Sequence, residues 1–171
     1  MIEIDVRDLV DHPGTSRAVH VDEPVEGLGL ELAEVPEDAP IEADLLLESV
    51  VEGILVTGPI HGSMRFSCAR CLREFQRPFD LQVNELFSME VDPAEDDYVL
   101  RPEGAIDLEP MVRDAVLLSM PFSPLCRPDC LGLCERCGGD RNLGECTCPP
   151  ATVDPRWAVL GDIRLDETTN D

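Results

Sequence analysis

The chain has 171 residues, with 36 acidic and 13 basic side chains and a formal net charge of -23, and all 13 basic residues are arginines. A chain of this charge repels polyanions, which disfavours binding of naked RNA or DNA by phosphate neutralisation and favours a basic partner. The sequence has no stretch of about 20 apolar residues that would span a membrane. Its N-terminus lacks the basic start and apolar run of a signal peptide, so we expect a cytoplasmic protein.

The first part of the chain predicts short strands. Apolar and charged residues alternate over 2–6, and leucines alternate with glycine and glutamate over 28–32, which is typical of edge strands. Between Arg17 and Arg65 there are eleven acidic residues and no lysine or arginine. We interpret this region as a solvated acidic face and loop.

The block 41–87 predicts an antiparallel meander. Residues 41–57 are rich in Leu, Val and Ile, the pair Gly58 and Pro59 is expected to break the run, and strands are expected over 62–68 and 75–87. Cys68 and Cys71 then lie at a turn between two strands of the meander.

The remaining elements complete an α+β fold. Residues 88–105 predict a flexible acidic loop, and a main helix is expected over 107–119 with Asp107 as N-cap. A short helix is expected to begin at Asp154 and Pro155 and to run to Leu160. We therefore expect an α+β core domain over 1–122, a Cys-rich metal-binding segment over 123–165 packed on that core, and a disordered tail over 166–171.

The eight cysteines carry the strongest chemical signal. In a chain without a signal peptide, cysteines in C-x2-C steps favour metal over disulfides. Zinc takes four thiolates in a tetrahedron, so eight cysteines match two closed sites and two zinc ions. The ligands would be Cys68, Cys71, Cys126, Cys130, Cys134, Cys137, Cys146 and Cys148.

The pairing of the cysteines into sites is left open by spacing alone. The favoured partition joins the four cysteines of 134–148 in one compact site and the other four in a site that staples the meander to the segment after the helix. The alternative joins the two C-x2-C pairs, Cys68 and Cys71 with Cys134 and Cys137. Disulfides, redox chemistry at a C-x2-C pair and an iron–sulfur cluster are the competing interpretations of the same residues.

The sequence does not favour an enzyme. It has no phosphate-binding loop, nucleophile elbow or zinc-protease motif, and its three histidines are scattered. A four-cysteine zinc site leaves no open position for a substrate or water. We accordingly expect no catalytic residue and no small-molecule substrate.

One basic cluster stands out from the acidic background: Arg65, Arg70, Arg73 and Arg77. In a hairpin, Arg65, Arg73 and Arg77 could share a face and contact a partner or RNA phosphates. The alternative is that these arginines pair with the abundant carboxylates and help to neutralise the nearby thiolate site.

Several segments together resemble the YceD family, also described as the large ribosomal RNA subunit accumulation protein family. The resemblance covers roughly residues 41–165 and is carried by CARCL at 68–72, LSMP at 118–121, PLC at 124–126, the cysteines and glycines of 130–139, the run 142–148 and DPRWAVL at 154–160. Some members of that family keep the first C-x-R-C pair and lose most later cysteines.

The resemblance implies a role in accumulation of large-subunit ribosomal RNA, in bacteria and plastids. In bacteria the family's gene typically lies beside that of a small, basic large-subunit ribosomal protein. The leading hypothesis is therefore a non-enzymatic ribosome-biogenesis factor that binds a basic ribosomal protein or pre-ribosomal RNA. The alternative is a thiol oxidoreductase or zinc-linked redox sensor that uses the C-x-x-C pairs.

Overall fold

The computed structural model describes residues 1–89, 98–149 and 156–157, and the chain divides into two compact units, Met1–Gly132 and Leu133–Asp171. In the described residues, the regular elements are β1 (Glu3–Asp5), β2 (Ser16–Glu23), β3 (Gly29–Leu30), β4 (Ala33–Glu34), β5 (Ile41–Ser49), β6 (Gly53–Ser67), β7 (Glu74–Ser88), β8 (Tyr98–Val99), β9 (Ala105–Asp107) and α1 (Glu109–Ser119). The α+β class with an antiparallel meander and one main helix is confirmed. The expected domain boundary after residue 122 and the packing of 123–165 on the core stay predictions.

The main sheet is built around the long hairpin of β6 and β7. β5 and β4 pair with different parts of β6, β5 with residues 54–61 and β4 with residues 65–66, while β2 pairs with β5 and β3 with β4. β7 pairs with β6 along its whole length and, in parallel, with β8. β1 and β9 form a separate two-stranded ribbon. In the β6–β7 hairpin, Gly53 lies opposite Ser88 and Ser67 opposite Glu74, so the pairing continues without a break up to the turn that holds Cys68 and Cys71.

The core lies on one face of the sheet. Along β5, buried residues alternate with exposed or half-exposed ones, as expected for a strand with one solvated face. The buried face packs with Met111, Val112 and Val116 of α1 and with Val6 and Leu9. The core is almost wholly aliphatic, as the scarcity of aromatic residues implies, and Phe87 is its largest fully buried side chain.

Three expectations about elements are corrected. β2 was not expected, because its charge suggested a loop, yet its pairing with β5 extends from Ser16 to Glu23. Gly58 and Pro59 do not break the strand, since both lie inside β6 and pair with β7. The expected flexible loop at 88–105 contains β8 and the start of β9 among its described residues.

The helix begins slightly later than expected. Its N-cap by backbone geometry is Leu108, without a side-chain cap. Asp107 still acts at this end, because its Oδ1 accepts a hydrogen bond from the Glu109 N–H at 3.1 Å. The expected helix 154–160 and tail 166–171 lie outside the described residues, apart from a short 3-10 turn at 156–157. In the described part of the chain, no helix has the length and apolarity needed to cross a membrane.

Candidate metal centres

The first cysteine cluster joins the tip of the β6–β7 hairpin to the segment that follows α1. Cys68 and Cys71 lie in the hairpin turn, where the Leu72 N–H donates to the Cys68 carbonyl at 2.9 Å. Leu72 has φ 58, the left-handed conformation that closes this turn. The Ala69 N–H donates to the Pro124 carbonyl at 2.8 Å, so a backbone hydrogen bond links the hairpin turn to the segment after α1 beside the sulfurs.

The four sulfurs of the first cluster fit a single tetrahedral ion. Sγ atoms of Cys68, Cys71, Cys126 and Cys130 all lie within 4.8 Å of one another. The Cys68–Cys130 and Cys71–Cys126 Sγ distances are 3.8 and 3.7 Å. With metal–sulfur bonds of about 2.3 Å, a tetrahedral four-sulfur site has edges of about 3.8 Å, so the geometry matches.

Two arginines of the hairpin hold the post-helix segment in place. Arg70 donates through Nη1 to the Cys130 carbonyl at 2.8 Å. Arg77 donates through Nη2 to the Leu125 carbonyl at 2.9 Å, and its guanidinium lies 4.8 Å from the centre of the Phe75 ring. These contacts orient the loop that carries two of the four ligands.

The second cluster is formed locally within 133–149. Sγ atoms of Cys134, Cys137, Cys146 and Cys148 also lie within 4.8 Å of one another. A tight turn holds the first pair: the Gly138 N–H donates to the Cys134 carbonyl at 2.8 Å, and the Cys134 N–H donates to the Gly139 carbonyl at 2.9 Å. Gly138 has φ 72, a left-handed conformation that glycine adopts without strain.

The thiol pKa values in both clusters indicate that the four sulfurs of a cluster can ionise together only with a bound cation. Burial opposes ionisation of Cys68, but backbone N–H groups that include those of Cys126 and Cys71 outweigh it and lower its pKa to about 6. Burial and neighbouring thiols raise the pKa of Cys126 to about 12.

The second cluster likewise contains one thiol with a lowered pKa and one with a raised pKa. Backbone N–H groups of Cys137 and Arg136 lower the pKa of Cys134 to about 6, whereas hydrogen bonding with Cys137 and Cys146 raises the pKa of Cys148 to about 12. Four thiolates this close repel one another, so they ionise together only when a metal ion compensates their charge.

The structure groups the cysteines as the favoured partition expects and not as the alternative does. All eight belong to one of the two clusters, and the first C-x2-C pair meets Cys126 and Cys130 instead of Cys134 and Cys137. All eight cysteines are free thiols in the structure. A four-iron cluster, in which each cysteine binds a different iron, spreads its sulfurs more widely than this.

The arginine cluster does not form one face. Arg65 lies opposite Gln76 and Arg77 opposite Met64 in the hairpin register, so their side chains lie on opposite faces of the sheet. Arg65 forms an ion pair with Glu34 at 2.9 Å. Arg70 and Arg77 bind carbonyl groups of the first unit, as described above. Arg73 also has an interaction partner, so none of the four arginines is free.

The register assembles part of the expected acidic face into one surface and adds Asp80 to it. Asp22 lies opposite Glu42, Glu42 opposite His61, and His61 opposite Asp80, which forms a row across four strands on the face away from α1. His61 Nδ1 is 3.4 Å from Asp80 Oδ2. We call Asp22, Glu42, Asp44 and Asp80, all exposed, the acidic sheet face.

Comparison with known proteins supplies a family match. The model of a family described as large ribosomal RNA subunit accumulation protein YceD matches residues 56–164. An uncharacterized protein of Mycobacterium tuberculosis is 39% identical over 94% of the chain and 80% of its own length, and one of Mycobacterium leprae is 36% identical over 95% and 77%.

A named plant protein matches a smaller part of the chain. The chloroplastic large ribosomal RNA subunit accumulation protein YCED homolog 1 of Arabidopsis thaliana is 32% identical over 34% of this chain and 18% of its own length. No solved structure matches the chain.

Proposed function

The chain belongs to the YceD family, and on this premise we propose that it is a non-enzymatic, cytoplasmic ribosome-biogenesis factor that supports accumulation of large-subunit ribosomal RNA. The observation that carries the proposal is the family match over 56–164, which includes all eight cysteines. Two sites of four sulfurs each leave no open ligand position on a tetrahedral ion, which supports a scaffolding role for the metal.

We further propose that each cluster holds one zinc ion. The four-sulfur donor set and the sulfur–sulfur distances of 3.7 and 3.8 Å in the first cluster support zinc. In this role the cysteines fix the hairpin tip and the 133–149 loop. The test is metal quantification on protein purified without chelator, where two zinc per chain are expected and a chain without bound metal would contradict the assignment.

For the partner we propose a small, basic large-subunit ribosomal protein. The acidic sheet face and the net charge of -23 favour a basic protein by electrostatic complementarity. RNA binding by the arginine cluster is less favoured, because Arg65, Arg70 and Arg77 already hold contacts within the first unit.

The partner proposal is tested by titrating the chain with a purified basic ribosomal protein and with ribosomal RNA at two salt concentrations. We expect salt-sensitive binding to the protein and none to the RNA. The triple variant Asp22→Asn, Glu42→Gln, Asp80→Asn should weaken binding about tenfold, at roughly 0.5 kcal/mol for each exposed charge.

A matched control removes three exposed carboxylates elsewhere: Glu37→Gln, Asp38→Asn and Glu103→Gln. It changes the net charge equally and should weaken binding less. Equal loss in both triple variants would contradict a specific role for the acidic sheet face, and binding to RNA alone would contradict the choice of partner.

A further inference from the structure

The two cysteine clusters differ sharply in exposure. In the first, Cys68, Cys71 and Cys130 have 0%, 8% and 1% of their surface exposed, and only Cys126 is half-buried. In the second, Cys137 is exposed and the other three cysteines are half-buried. A reagent from solvent therefore has access to every cysteine of the second cluster, whereas in the first cluster only Cys126 is not buried.

An open cleft leads to the second cluster. It has a volume of about 160 Å³, and Cys134, Cys146 and Cys148 line it together with Glu135, Arg136, Arg141 and Pro149. Sites for drug-sized ligands span about 300–1,000 Å³, so this cleft suits a molecule of only a few atoms.

The two arginines of the cleft are unusual in this acidic chain. Among the residues that the structure describes, neither guanidinium has a hydrogen-bond or ion-pair partner, and both side chains are exposed. Arginines elsewhere bind carboxylates or carbonyls, as Arg17 binds Asp8 and Arg101 binds Glu3. Arg136 and Arg141 therefore keep their N–H donors free for oxygen atoms that enter the cleft.

We propose that the second cluster is a site of oxidation by small hydroperoxides, and that its oxidation releases the metal while the first cluster stays intact. This inference goes beyond the ribosomal role, and it rests on the proposed function only in taking the cluster to be metal-loaded. It combines three observations: a cluster with no buried cysteine, a cleft of small volume lined by three of its cysteines, and two guanidinium groups without partners that line the same cleft.

The chemistry uses two of the four thiolates. With hydrogen peroxide, one thiolate attacks an oxygen, the O–O bond breaks, and a sulfur–oxygen bond forms as hydroxide leaves and takes up a proton to become water; an alkyl hydroperoxide would release the alcohol instead. A second thiolate attacks that sulfur, forms a disulfide, and releases another hydroxide, which is likewise protonated to water. The two sulfurs lose two electrons and hydrogen peroxide gains them, which leaves two thiolates, too few to close a four-ligand site.

The test uses the full chain purified without chelator or reductant. After its metal has been counted, the protein is treated with hydrogen peroxide, released zinc is followed with a chromogenic chelator, and the cysteines are mapped by alkylation and peptide mass spectrometry. We expect release of one of two zinc ions and a disulfide among Cys134, Cys137, Cys146 and Cys148, with Cys68 and Cys71 still reduced.

Parallel oxidation of both clusters would overturn the proposal, and so would an unreacted second cluster under conditions that oxidise a free cysteine derivative. If no zinc is counted at the start, the proposed metal occupancy fails, and the order of cysteine oxidation still tests this inference. Arg136→Gln with Arg141→Gln should slow the first release, whereas Arg7→Gln with Arg127→Gln, which alters arginines paired with Asp5 and Asp129, should not.

Discussion

Loss of one ligand from the first cluster should destabilise the first unit strongly. Cys126 and Cys71 are 55 residues apart in sequence, so the metal closes a long loop. The chain-entropy relation used for cross-links gives about 4 kcal/mol for a loop of this length. Because unfolded cysteines also bind metal, part of this is lost, and for Cys126→Ser we expect about 2–4 kcal/mol.

The measurement is thermal unfolding of the zinc-loaded protein, followed by the far-ultraviolet circular dichroism of the sheet. For a unit of this size, the expected loss corresponds to a fall in Tm of roughly 10 °C. The near-ultraviolet signal of Tyr98, the only tyrosine, which stacks on Phe87 with ring centres 5.3 Å apart, reports the same unit.

The matched control is Cys148→Ser, which removes one ligand from the second cluster. Both variants should bind one zinc instead of two, but Cys148→Ser should leave the unfolding of the sheet unchanged, because its cluster lies in the other unit. A Cys126→Ser variant that lost one zinc and kept the Tm of the parent would contradict this expectation, and so would an equal loss of stability in the two variants.

Three further predictions concern the sheet and its surface. Gly58→Ala should lower the free energy of unfolding by about 2–4 kcal/mol in denaturant unfolding, because the added Cβ would lie 2.2 Å from the Asp44 carbonyl oxygen. Gly14 also has a positive φ but no atom within 4 Å of an added Cβ, so Gly14→Ala should lower it by only about 1 kcal/mol. Hydrogen bonding to Asp44 raises the pKa of His20, so its NMR titration midpoint should fall in Asp44→Asn and in high salt; the stabilisation from this pair is present at low pH and is lost as pH rises through the folded-state pKa. Burial and the hydrogen bond to Asp114 raise the pKa of Tyr98, so tyrosinate absorbance should develop only above pH values near the ordinary pKa of about 10. The contribution of the protonated Tyr98 to the stability of the fold is lost as pH rises through the raised pKa. An unchanged titration midpoint of Tyr98 in Asp114→Asn would contradict the assignment.

The cysteine partition could be predicted because it follows from chain geometry. A C-x2-C turn places two sulfurs on one ion, and the spacing of Cys134 to Cys148 is short enough to close locally. The role of Arg70 and Arg77 could not be predicted, because the carbonyl groups that they bind lie 60 and 48 residues further along the chain. Only the folded hairpin brings donors and acceptors together.

The strand β2 was not predicted, because its many charged residues obscured the alternation of inward and outward side chains. In β2, Val19 and Val21 point inward while Ala18, His20 and Asp22 point outward, yet the high acid content favoured a loop interpretation. Gly58 and Pro59 were expected to end a strand because proline lacks an N–H donor. In the structure the β5–β6 pairing is interrupted opposite them, while the β6–β7 pairing passes through both.

The separation of ligands along the chain also sets an order of events during folding. The second cluster has all its ligands within residues 134–148, so a short, otherwise unfolded segment can capture an ion. The first cluster needs Cys68 beside Cys130, 62 residues away, and therefore cannot close until the hairpin has formed and the segment after α1 has reached it. Metal uptake at the first cluster is thus a late step, and a chain loaded at both clusters is one whose first unit has completed its fold.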